Sequence, residues 1–167
     1  HQSILSEGLK GKVAILFPET DYAYLDSRME ETKEPCFMCD GKWRRCSPRY
    51  PEYLLTEGRL VRGEAALFPN LFPVAPYHAV VMVGEKHGRL LNDFPSSLLF
   101  DAFRVSVEFI KSCFQSDQEA RYFTINVNFM PPAGASVVHP HVQIVGSPVA
   151  TTHHALLLER SKSYHQD

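Results

Sequence analysis

The chain has 167 residues, 44% hydrophobic and 22% charged, which is enough apolar material for one compact domain and too much for a disordered chain. Seventeen Lys and Arg against nineteen Asp and Glu give a formal net charge of −2, so wrapping nucleic acid or coating an anionic membrane is excluded as its main work. A single nucleotide in a single pocket is not excluded.

No run approaches the roughly 18 continuous apolar residues of a membrane span. The opening His1-Gln2-Ser3-Ile4-Leu5 lacks the charged-then-apolar pattern of a secretory leader, and since it does not begin with Met a trimmed or partial chain is expected. The four cysteines, at 36, 39, 46 and 113, do not form a disulfide framework, so the cytoplasm is the expected compartment.

In chain order, Val13-Ala14-Ile15-Leu16-Phe17 reads as a short strand stopped by Pro18. Cys36 to Pro51 is crowded with Cys, Gly, Arg and Pro and reads as irregular loop. Glu64 to Asn70 is a strand ending in a turn, and the apolar run Ala79-Val80-Val81-Met82-Val83 is a buried strand. Ser96 to Gln115 reads as a helix of roughly 30 Å. Its expected buried face is Leu99, Ala102, Phe103, Ser106, Phe109, Ile110 and Cys113, with Ser96 or Asp93 as cap. Tyr122 to Phe129 alternates and is rich in aromatic and β-branched residues, so it is a strand. Met130 to Ser136 is a Pro/Gly loop, and His139 to Val145 is the last strand. Two strand pairs and one long helix predict an α+β domain with an antiparallel sheet and the helix packed on it.

Chemistry concentrates in His139-Pro140-His141-Val142-Gln143. On a strand, alternate side chains share a face, so two imidazoles and a carboxamide fall in one row. Such a row is costly to bury unless something pairs with it. Cys36-Phe37-Met38-Cys39 has the spacing of two ligands to one tetrahedral zinc ion, whose other two ligands would be histidines: His139 and His87, with His78 as a competitor. The small-residue loop Pro131 to Ser136 lets backbone N–H groups and the Ser136 hydroxyl approach an oxyanion. Phe68-Pro69-Asn70 offers a ring and an amide at a strand end, suited to a nucleobase. His153 and His154 read as surface residues after a loop, and Lys42, Arg44, Arg45 and Arg49 as a solvated basic cluster.

These motifs, with Asn128 and Gly134-Ala135-Ser136 ahead of the histidine row, resemble the galactose-1-phosphate uridylyltransferase branch of the histidine-triad superfamily from about Cys36 to Gly146. The resemblance implies a histidine-triad-like α+β fold and a cytoplasmic homodimeric enzyme of galactose metabolism. A nucleotide-sugar and a sugar phosphate would be its substrates, with no nucleic-acid or membrane partner. It implies His141 as nucleophile, forming a covalent nucleotidyl intermediate, with Gln143 and Ser136 on the phosphoryl group. Phe37, Phe68, Asn70, Asn128 and Gly134 would surround the nucleotide. Cys36, Cys39, His87 and His139 would hold a structural zinc ion.

Two relatives of this reading are a dinucleoside polyphosphate phosphorylase or hydrolase using the same histidine, and a zinc-stabilised nucleotide-binding module without turnover. Val142 is bulkier than the residue usual at that point of the motif, and Leu71 replaces an often acidic residue near the ribose. The implied organisation is an extension over 1–35, the catalytic domain over 36–150, and a C-terminal segment over 151–167. The family has two related halves, and this chain resembles the first.

Overall fold

The computed structural model describes residues 21–164; the strand expected at Val13–Phe17 lies outside them. The chain opens with helix α1 (Tyr22–Glu31), capped by the Asp21 carboxylate, which accepts from the Tyr24 amide. Turns and the short helix α2 (Trp43–Cys46) follow, then strands β1 (Leu60–Arg62), β2 (Ala65–Pro69) and β3 (Tyr77–Val83). Helix α3 (Ser96–Ser116) comes next, followed by β4 (Tyr122–Asn126), β5 (His141–Ser147) and helix α4 (Thr152–Tyr164). The strands make one antiparallel sheet in the order β1-β2-β3-β5-β4. This is the α+β architecture expected of a histidine-triad-like fold, with one long helix on the sheet.

The sheet centre is buried on both faces, which is why β3 reads as an unbroken apolar run and not an alternating one. On one face Leu67, Val81, Val83, Val142 and Ile144 meet Leu98, Val105 and Phe109 of α3. Burying each of those large side chains contributes about 1.5–3 kcal/mol. On the other face Ala66, Phe68, Val80 and Met82 are covered by Cys36, Met38, Cys39 and Trp43. Beyond this cover β5 alternates: Val142, Ile144 and Gly146 point to α3, while His141, Gln143 and Val145 are half-exposed on the opposite face.

The buried face keeps Ala102, Ser106, Phe109 and Cys113 of the expected set but is rotated toward Leu98 and Val105, which leaves Leu99 and Phe103 40% and 52% exposed. Two apolar stripes run along α3, and the sequence pattern mixes residues of both. Phe100, Phe103, Val107 and Phe114 form the outer stripe. No side chain caps α3; Pro95 stands at the cap position in place of Ser96 or Asp93.

Other differences are local. Part of the expected loop 36–51 folds into α2, and edge strand β1 and helices α1 and α4 were not anticipated. β4 ends at Asn126, and regular pairing in β5 begins at His141 rather than His139. His153 is exposed and His154 half-exposed on α4, a helix and not a loop. Among the described residues no helix is long and apolar enough to cross a membrane.

Candidate active site and metal centre

The backbone from Cys36 to Lys42 is a chain of tight turns, with Cys39 N–H donating to Cys36 O and Lys42 N–H to Cys39 O. Asp40 and Gly41 both sit at positive φ (55° and 67°), which bends the chain sharply into α2. The turns bring both thiols to one side, against the end of β3. There Gly84, at φ +81°, swings the chain toward His87 with its carbonyl facing inward.

The outcome is a buried group of four. Cys36 Sγ, Cys39 Sγ, one nitrogen of His87 and one of His139 all lie within 4.8 Å of one another. Cys39 Sγ is 3.2 Å from His87 Nδ1 and 3.4 Å from His139 Nδ1, and Cys36 Sγ is 3.7 Å from His139 Nδ1. A tetrahedral ion with Zn–S near 2.3 Å and Zn–N near 2.05 Å requires S···N edges of about 3.5 Å.

The outer nitrogens settle which lone pairs face inward. His139 Nε2 is 2.8 Å from Gly84 O, a pure acceptor, so it carries the proton and Nδ1 is bare. Thr32 Oγ1 donates its one hydrogen to Arg28 O at 2.6 Å and therefore accepts from His87 Nε2 at 3.0 Å. Both imidazoles thus present a bare Nδ1 to the thiols, and outer acceptors of this kind are what orient histidine ligands of metals. His78 is not part of the group; His87 takes the place for which the two competed.

Burial reinforces this picture. It holds His139 down to about 4 and His87 below the usual imidazole value, and it pushes the Cys39 thiol up, with Cys36 beside it adding to the rise. Neutral imidazoles are ready ligands, while thiolates in so buried a place need a cation to compensate them. The donor set fits a structural ion with four protein ligands and no open position. All four cysteines are free, Cys46 exposed and Cys113 buried in the helix core.

Two residues after the buried His139, at the first position of β5, stands His141. Its Nδ1 lies 2.8 Å from the carbonyl oxygen of His139, so Nδ1–H donates and Nε2 keeps its lone pair on the half-exposed side. A bare imidazole nitrogen held in one orientation is a nucleophile awaiting an electrophile. Gln143 follows on the same face, its Oε1 2.8 Å from His78 Nε2 and 3.3 Å from Asn70 Nδ2. Among the described residues no hydrogen bond engages the Gln143 amide nitrogen.

The remaining expected site residues are placed as follows. Phe68 is buried, with Phe37 edge-on and Trp43 stacked on it, both at 6.0 Å between centroids. Trp43 stacks on Phe68, and the half-exposed ring on this side is Phe37. Asn128, Gly134 and Ser136 are exposed, the last two in the loop after the turn Pro131–Ala133. The loop is anchored by the buried Met130, whose carbonyl accepts from Ala133 and Ala135. A largely apolar cavity of about 170 Å³ opens beside His141, bordered by Phe94, Asn128, Phe129, Met130 and Pro140. The sequence reading missed Thr32, the Gly84 carbonyl and the bonding of His78. Only His78 had left a signal: it shares parity with Val80 and Met82, which face away from α3.

No protein-family model matches the chain. A protein of undetermined function from Archaeoglobus fulgidus is 36% identical over 131 residues, which cover 77% of this chain and 38% of that protein. Among solved structures, a GalT-like protein from Arabidopsis thaliana superposes with a TM-score of 0.66 at 22% identity, covering 80% of this chain and 47% of its own. An ADP-glucose phosphorylase from the same plant, with bound ADP-glucose, gives a TM-score of 0.61 at 21% identity over 78% of this chain and 45% of its own. This chain has the GalT-like fold. It spans less than half the length of each of these relatives.

Proposed function

We infer that the chain is the nucleotide-handling half-unit of a GalT-like nucleotidyltransferase of the histidine-triad superfamily. The observation that carries this is the hydrogen bond from His141 Nδ1–H to the His139 carbonyl, which leaves Nε2 bare on a rigid strand beside an unspent amide donor. His141 Nε2 attacks the α-phosphorus of a nucleotide-sugar, the bond to the β-phosphoryl oxygen breaks, and hexose 1-phosphate departs. A phosphate oxygen of the acceptor then attacks the same phosphorus, the P–N bond breaks, and the imidazole is restored. While nucleotidylated, the ring bears positive charge that the His139 carbonyl stabilises.

Gln143 and Ser136 donate to the phosphoryl oxygens without the repulsion a carboxylate would bring. Phe37, Asn70, Asn128 and Gly134 border the nucleotide, with Phe68 as the buried backing of Phe37. Cys36, Cys39, His87 and His139 hold a structural zinc ion, which ties the cysteine turns to the segment carrying His141. Since the ADP-glucose phosphorylase shares the fold, inorganic phosphate stands beside a sugar phosphate as acceptor. The assembly is a homodimer, and its compartment the cytoplasm.

The test is incubation with UDP-glucose or ADP-glucose in the absence of acceptor, followed by intact-mass measurement and peptide mapping. A UMP or AMP adduct on His141, discharged by galactose 1-phosphate or by inorganic phosphate, is the expected result and names both donor and acceptor. Absence of an adduct with either donor, or an adduct on another residue, overturns the proposal.

A further inference from the structure

We propose that His78 is a positioning residue that fixes which way the Gln143 carboxamide faces, so that its NH2 group and not its oxygen is presented to the phosphoryl group. The proposal rests on the reading above for what Gln143 touches, but the orientation itself follows from two backbone amides.

The Val74 N–H donates to His78 Nδ1 at 3.1 Å. A backbone N–H is only ever a donor, so Nδ1 must be bare, and a neutral ring must then carry its proton on Nε2. An imidazolium, protonated on both nitrogens, cannot accept from Val74. The Nε2–H points at Gln143 Oε1, 2.8 Å away. Had the carboxamide been turned round, two donors would face each other across that distance.

The second amide leads to the same atom. Phe72 N–H donates to Asn70 Oδ1 at 2.9 Å, which turns the Asn70 amide so that Nδ2 reaches Gln143 Oε1 at 3.3 Å. The 3.1 Å between Asn70 Nδ2 and His78 Nε2 is then a contact of two donors aimed at one shared oxygen, not a hydrogen bond between them. Backbone donors cannot flip, and each is relayed through one side chain. Together they occupy Oε1 from two sides and leave Gln143 Nε2 to serve a ligand.

The placement supports a designed constraint. His78 is buried on β3, the strand beside β5, and Val80 of β3 pairs with Gln143. Its carbonyl is itself held, accepting from the Tyr50 hydroxyl and the backbone N–H of Asn70, each at 2.9 Å.

The test has two parts. Long-range ¹H–¹⁵N spectra of the imidazoles in the wild-type protein at pH 7.5 should show His78 protonated on Nε2 alone; protonation on Nδ1 overturns the proposal whatever the enzyme does. Second, the rate of His141 adduct formation is measured at saturating nucleotide-sugar in His78→Leu and His78→Gln. His78→Leu should slow the step about tenfold, less than deletion of a phosphoryl donor, with donor affinity changed under threefold. His78→Gln, which restores an N–H near the position of Nε2, should recover most of that rate. In a Gln143→Leu background, His78→Leu should produce no further slowing. A wild-type rate in His78→Leu, or an equal loss in both backgrounds, refutes the relay. If the wild type forms no adduct with any donor, the enzymatic reading fails, while the spectra still decide the orientation of Gln143.

Discussion

Thr32 touches no ligand atom of the proposed metal, yet its replacement should be felt there. Its hydroxyl accepts from His87 Nε2 at 3.0 Å because its only hydrogen goes to Arg28 O at 2.6 Å. Thr32→Val keeps shape and volume but removes that acceptor, leaving the buried His87 with an unpaired N–H and no preference for the tautomer that exposes Nδ1. Loss of an outer partner of a metal-bound histidine weakens metal binding about 10–100-fold, equivalent to about 1.4–2.8 kcal/mol. The lost bond to Arg28 O adds about 0.5–1.5 kcal/mol of destabilisation that does not depend on metal. Competition for zinc against a chromophoric chelator measures the first effect, and melting of chelator-treated protein measures the second. Thr32→Ser retains the hydroxyl and should bind zinc as the wild type does. If the Thr32→Val variant holds zinc as tightly as the Thr32→Ser variant, His87 does not coordinate through Nδ1, and the ligand set is wrong.

Other consequences can be checked separately. His141→Ala should abolish the covalent adduct while zinc content by atomic emission stays at the wild-type level; loss of zinc would mean that His141 shares the ligand role. Cys36→Ala should lower zinc content and melting temperature together, and full retention of both would remove Cys36 from the metal centre. Gly146→Ala would place its new Cβ 2.2 Å from Phe123 Cε1, forcing the ring off its contact with Tyr77. A loss of about 1–3 kcal/mol in urea unfolding is expected, and an unchanged midpoint would show that the β4–β5 packing is looser than described. In chelator-treated protein, His139 is held neutral down to about 4 when folded but takes up a proton near 6.5 when unfolded. The unfolded state therefore binds more protons in that window, and stability should decline as pH falls from about 6.5 to about 4; a flat profile would show that His139 is not buried without metal.

Much of the fold could be read from local pattern. The apolar run at 79–83, the alternation around 122–126 and the helical stretch from Ser96 each follow from backbone periodicity, which sequence records directly. The rotation of α3 could not be read, because both of its stripes are apolar and only contact with β2 and β3 decides which is buried. Helix α1 was equally silent: its single buried residue is Leu25, so it lacks a strong apolar stripe. The burial of Phe68 was equally unreadable, because Phe37 and Trp43, which lie against it, are distant in sequence.

By itself the sequence determined that His141 and Gln143 share one face, because a strand repeats every two residues, and that the spacing of Cys36 and Cys39 suits two ligands of one ion, because that spacing is local. Only the tertiary structure chose His87 over His78 beside the thiols and set the Nδ1 atoms inward. It alone aimed two backbone N–H groups, through His78 and Asn70, at a single oxygen of Gln143. Hydrogen-bond direction depends on which donor arrives from another segment, and no periodicity along the chain encodes that arrival.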